Sequence, residues 1–183
     1  MTFRHNQTVE ICKKEEGSHS PGTTSCYYYY TATILAAIGR TRYLVRYQNR
    51  FSEDKTRLLT ESVDESVIRP CPPSVPYAGF QVPDRVDAFI DGAWRSGSIA
   101  RKVDPNYYVK LDSNGIEVHC PFHKVRLHLE FEDGRWIYYR PRNDAGEAIK
   151  TGVTRNDDGK ASTSEEPPRK DADDQADKSE PRR

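Results

Sequence analysis

The feature that most constrains this 183-residue chain is an internal repeat on either side of a proline run. Val9-Glu10-Ile11-Cys12 recurs as Val86-Asp87-Ala88-Phe89, and the stretch from Tyr29 to Ile34 as Trp94-Arg95-Ser96-Gly97-Ser98-Ile99. Tyr43 to Tyr47 recurs as Tyr107-Tyr108-Val109-Lys110-Leu111, and Val67-Ile68-Arg69 as Lys124-Val125-Arg126. Between the copies, Pro70-Cys71-Pro72-Pro73-Ser74-Val75-Pro76 interrupts every periodicity and reads as a stiff, extended connector. Self-similarity of this kind means two copies of one module. Each copy is near the lower size limit for an independent core, so the two are expected to pack against each other.

Within the first copy the organising stretch is Tyr27 to Tyr47, four consecutive tyrosines leading into a strand, a Gly39-Arg40 turn and a second strand. Period-two alternation puts Ala32 and Ile34 on one face of the first strand and Tyr43 and Val45 on one face of the second. The same phase carries Tyr28, Tyr30 and Tyr47 inward, at strand ends where rings can line an open cup. Rings meeting at right angles turn their negative faces to a common point, which suits an alkylated, poorly hydrated ammonium. The competing reading is ordinary barrel-end packing with the hydroxyls in water. With Val9 to Cys12 before the hairpin and Thr56 to Thr60 and Val67 to Arg69 after it, about five short strands in about seventy residues describe a small, bent β-barrel.

Lys+Arg and Asp+Glu balance at 28 each, so the chain as a whole has no bias toward nucleic acid or an anionic membrane, and any charged partner is read by a local patch. The amino terminus has no apolar run fit for a signal peptide and no segment is long enough to span a membrane, so a soluble, intracellular protein with no membrane partner is expected. Cys12, Cys26, Cys71 and Cys120 show neither zinc-ribbon spacing nor a dense disulfide framework and are read as reduced thiols. A metal site built from His119, Cys120, His123 and His128 is disfavoured, because adjacent strand residues point to opposite faces; neither metal nor cofactor is expected. Leu127 to Tyr139 is an aromatic extension that should dock on the second copy. From 141 to 183 the composition is that of a disordered polar tail.

These residues resemble the plant-type Agenet repeat of the Royal superfamily, which includes Tudor and chromo modules. The resemblance is carried by Tyr30 to Ile34 with Tyr43 to Tyr47, by Val67-Ile68-Arg69-Pro70-Cys71-Pro72-Pro73, and by Arg126-Leu127-His128 leading to Gly134-Arg135-Trp136. It implies an all-β fold of two tandem Tudor-like five-stranded bent barrels packed together, at 3–73 and 77–140, followed by the tail. It also implies a nuclear, non-enzymatic reader of a methylated histone H3 tail, notably dimethylated lysine 9, acting in heterochromatin and gene silencing. Carried over by position, the methyllysine cage falls on Tyr30 and Tyr47, with Tyr28 and Phe51 as further walls. In the second copy Arg95 and Leu111 stand where Tyr30 and Tyr47 stand in the first, which places the pocket in the first copy. Trp94 and Phe89 are left for a degenerate pocket or for the junction between copies.

A basic histone tail calls for acids beside the groove; Glu53, Asp54, Asp91, Asp112 and Glu117 are the candidates, with Trp94 and His119 at its edge. His119 and His123, if near the groove, would make binding strengthen as pH rises through the imidazole range. The alternative is a nucleic-acid module in which exposed aromatics stack bases beside Arg40, Arg42, Arg46 and Arg50. An enzyme is the least supported class, because no phosphate loop, paired metal motif or nucleophile elbow is present.

Overall fold

Strand alternation becomes alternating burial. The computed structural model describes residues 2–14, 28–75, 79–139, 150–155 and 161–165. The first unit consists of β1 (Thr8–Lys13), β2 (Tyr28–Ile38), β3 (Arg42–Phe51), β4 (Leu58–Asp64) and β5 (Ile68–Pro70). The second consists of β6 (Arg85–Ile90), β7 (Ala93–Val103), β8 (Asn106–Leu111), β9 (Glu117–Cys120) and β10 (Val125–Leu127). Each is an antiparallel five-stranded sheet, in the order β4-β3-β2-β1-β5 and β9-β8-β7-β6-β10, bent over its own core without closing. The repeat extends to detail: the long second strand of each unit carries a bulge at the equivalent place, between Ile34 and Ala36 and between Ile99 and Arg101. Phe3 meets Tyr43 edge-on at 5.5 Å between ring centroids, as Phe80 meets Tyr107 at 5.6 Å.

The inward faces supply the cores. Val9, Ile11, Ala32, Ile34, Tyr43, Val45 and Tyr47 fill the first; Val86, Ala88, Ile99, Val109 and Leu111 fill the second, joined there by Trp136 and Tyr138. Those two rings come from β12 (Arg135–Tyr139), which pairs with β11 (Glu130–Glu132) and docks the aromatic extension on the second unit. Phe131 of β11 lies against Trp136 at 5.0 Å.

The units join through β2 and β7, paired antiparallel with Tyr28 opposite Arg95 and Tyr29 opposite Trp94. Glu10 and Asp87, the outward residues of β1 and β6, face Arg69 and Arg126 across their own sheets. Both carboxylates are buried at the junction, each 1% exposed. Arg69 donates to Glu10 at 2.8 and 3.0 Å, while Arg126 reaches across to Glu10 at 2.6 Å and also pairs with Asp87 at 3.1 Å. His128 Nδ1 lies 2.6 Å from Asp87, and Ser96 donates to the same carboxylate. The guanidinium groups are faced by rings: Arg69 covers Tyr29 at 3.3 Å, and Arg126 covers Trp94 at 4.1 Å. Breaking a buried, hydrogen-bonded pair leaves an uncompensated charge, so the network fixes the register of one unit on the other.

Two expectations are corrected here. Cys12 is disulfide-bonded, not a reduced thiol, whereas Cys71 and Cys120 are not in disulfides. A single bridge leaves no spacing pattern for the sequence to reveal. Within the stretch read as a disordered tail, β13 (Lys150–Arg155) and β14 (Ala161–Glu165) extend the sheet from β12. Strand addition to an open edge draws on backbone hydrogen bonds, which a scarcity of aliphatic residues does not forbid. The rest of 140–183 lies outside the described residues.

Candidate functional site

Register brings the first unit's rings together. Ala32 of β2 stands opposite Tyr47 of β3, so Tyr30, two residues earlier on the same face, is Tyr47's diagonal neighbour. The rings meet at 82° with centroids 5.9 Å apart. In their angle sits a cation: the Arg50 guanidinium carbon lies 4.7 Å from the Tyr30 centroid and 5.0 Å from that of Tyr47. Its position follows from a break in the β3–β4 register between Arg46 and Phe51, since an irregular stretch releases a side chain from strict alternation.

Tyr47 therefore differs from the sequence reading. It is fully buried because β3 continues to Phe51 beyond it, and Arg50 and Tyr30 cover its ring. Its hydroxyl donates to Glu61 of β4 at 2.6 Å, and Lys13 donates to the same carboxylate at 2.9 and 3.0 Å. Burial, then the bond to anionic Glu61, push the Tyr47 phenol up, so it stays protonated across the ordinary pH range. Burial also pushes the Glu61 carboxyl up, but hydrogen bonds from Tyr47 and Lys13 outweigh it and hold Glu61 below its usual value.

The cleft in front of this corner is lined by Lys13, Lys14, Tyr28, Tyr30, Arg50, Leu59, Thr60, Glu61 and Arg95. Arg95 arrives from the second unit through the β2–β7 pairing and lays its guanidinium over Tyr28 at 4.6 Å. Phe51 is 58% exposed and does not line this cleft. Glu53 and Asp54 lie in the exposed β3–β4 loop, where Asp54 accepts from Ser52 and Thr56. Asp91 pairs loosely with Arg95 at 3.4 Å; Asp112 is held by Arg85 at 2.6 Å and Glu117 by Arg101 at 3.5 Å. His119 packs on Tyr108 at 5.2 Å and His123 on Phe122, both outside the cleft. Trp94 lies at the junction, between Arg126 and Phe89.

The second unit has no equivalent corner. Gly97 stands opposite Leu111 where Ala32 stands opposite Tyr47, and Arg95 occupies the place of Tyr30. Among the described residues no group of three or more His, Cys, Asp or Glu is placed to hold a metal ion. Glu61, Lys13 and Lys14 are site residues the sequence did not single out, because β1 and β4 show no signal of converging on the rings.

The Agenet domain model matches residues 6–73, the whole of the first unit. The first unit is an Agenet domain. The chain is homologous to Protein AGENET DOMAIN (AGD)-CONTAINING P1 of Arabidopsis thaliana, 33% identical over 140 residues that cover 75% of this chain and 26% of that protein. DUF724 domain-containing protein 6 of the same plant is 31% identical over 118 residues, 59% of this chain and 16% of that protein. The chain thus spans about a quarter or less of the length of these curated relatives. The crystal structure of Arabidopsis thaliana AGDP1 AGD34 superposes with a TM-score of 0.66 at 24% identity, over 74% of this chain and 89% of that one. That of ADCP1 tandem Agenet domain 3-4 gives 0.64 at 22% identity, over 74% and 87%. The two-unit architecture is therefore a tandem Agenet fold, all-β as the alternation in the sequence implied.

Proposed function

We propose that this tandem Agenet protein is a binding module, not an enzyme, that reads a methylated histone H3 tail in the nucleus and serves chromatin silencing or transcriptional regulation. Dimethylated lysine 9 is the preferred mark. The observation that carries this reading is the Arg50 guanidinium held between two perpendicular tyrosine rings: the corner already accommodates an organic cation. An alkylated ammonium is less strongly hydrated than a free one and gains more from such a seat. Binding requires Arg50 to yield its place. Each ring contributes about 0.5–2 kcal/mol, enough for micromolar affinity once backbone contacts are added.

Calorimetry of the full chain with H3 peptides dimethylated or unmodified at lysine 9 tests this. Micromolar binding of the first, at least about tenfold tighter than the second, and its loss in Tyr30→Ala are expected. Equal affinities for the two peptides would overturn the reading.

A second reading, nucleic-acid binding, is favoured by the basic residues Lys13, Lys14, Arg50 and Arg95 around the same cleft. Counterion release would make that binding weaken steeply with salt, while a caged ammonium depends on salt far less.

A further inference from the structure

The lining of the cleft is unsuited to a ligand that is only cationic. Among its described residues four are basic, Lys13, Lys14, Arg50 and Arg95, and one is acidic. That acid, Glu61, already accepts two hydrogen bonds from Lys13 and one from Tyr47, so little of its charge is left for a ligand. The acids expected beside the groove, Glu53, Asp54, Asp91, Asp112 and Glu117, do not line it. Arg95 is the most telling member. Its Nε is buried without a hydrogen-bond partner, and its terminal nitrogen has only a long contact, 3.4 Å, to the highly exposed Asp91. A guanidinium that lines the cleft with only this long ion pair on its terminal nitrogen, beside the exposed Lys14, offers a fork to an oxyanion.

The geometry points to a composite ligand, an alkylated ammonium seated on Tyr30 and Tyr47 with an anionic group beside it received by Arg95 and Lys14; the chemical class is a peptide whose methylated lysine neighbours a phosphorylated side chain. This rests on the reading of the rings given above and adds a second determinant to it. The ammonium takes the position of Arg50, and the phosphate offsets the repulsion between that ammonium and the surrounding basic groups. A phosphate monoester, with its charge and three acceptor oxygens, suits the bidentate fork better than a carboxylate does.

Titration calorimetry of the full chain with four H3-tail peptides separates the two determinants: unmodified, dimethylated at lysine 9, phosphorylated on the adjacent serine, and carrying both marks. The doubly marked peptide is expected to bind about tenfold tighter than the dimethylated one. Arg95→Gln should remove that gain while leaving the preference for methylation in place. Lys14→Gln, at an exposed position outside the junction network, should reduce it and serves should Arg95→Gln disturb the β2–β7 pairing. A methyl preference with no gain, or a loss, on phosphorylation overturns the composite ligand and leaves the ring reading standing. A phosphate gain without any methyl preference overturns both. A gain that survives both substitutions places the anion elsewhere and also overturns the inference.

Discussion

Arg50 decides whether Tyr30 and Tyr47 form a packed corner or an open seat. Its guanidinium lies within 5.0 Å of both centroids, and the face of Tyr47 toward the cleft is covered while it stays there. A cation on two such rings is held by about 1 kcal/mol, which any incoming ammonium must overcome. Arg50→Ala is therefore expected to tighten binding of the dimethylated H3 peptide about three- to tenfold by calorimetry, since the competent state no longer has to be released. Unchanged or weaker binding would show that Arg50 is a wall of the site and not its occupant. The tyrosine pair was legible in the sequence, because period-two alternation places Tyr30 and Tyr47 on one face. Arg50 was read only as one of four arginines around the hairpin, and its place between the rings was hidden because the register break before Phe51 removes the parity on which that inference depends.

At the scale of elements, the repeat predicted two units in contact but concealed what joins them. Glu10 stands between Val9 and Ile11 on the outward face of β1, and Asp87 stands likewise on β6; alternation reads such residues as solvated. Both are nevertheless buried at the junction, Glu10 under Arg126 of the other unit and Asp87 among Ser96, Arg126 and His128 of its own. The two strands beyond Arg142 were hidden for a related reason, since edge pairing with β12 leaves little trace in composition. The junction also carries the pH dependence. Burial alone would lower the His128 pKa, but the Asp87 charge and hydrogen bond, with help from Glu130, override it and push His128 up to about 9. His128 turns Asp87 the other way: despite burial, its charge and hydrogen bond, with Arg126, hold that carboxyl well below the usual range. A group whose folded pKa is raised contributes stability that is complete below its unfolded value, near 6.5, and is lost as pH rises through about 9. Asp87 contributes stability that is lost only in strong acid. Urea unfolding should accordingly show stability falling by up to about 3 kcal/mol between the two ends of the His128 window. His128→Gln should flatten that slope; an unchanged slope in the variant would assign the dependence to another group.

At the scale of the whole molecule, the second unit completes the first. It has no ring corner of its own, yet it sends Arg95 into the first unit's cleft and Arg126 onto the first unit's Glu10. The family match covers only the first unit, whereas the structural likeness extends across both. The tandem arrangement thus sets the charge around the aromatic corner. The most direct measurement is the Arg50 side-chain resonance, which the two ring faces displace from the position of a solvated arginine. On titration of the full chain with dimethylated H3 peptide, the Arg50 Nε–H signal should move to the solvated position as the ammonium takes over the seat, and the unmodified peptide should leave it where it is. An Arg50 signal that stays in place at saturation with the dimethylated peptide would contradict the account.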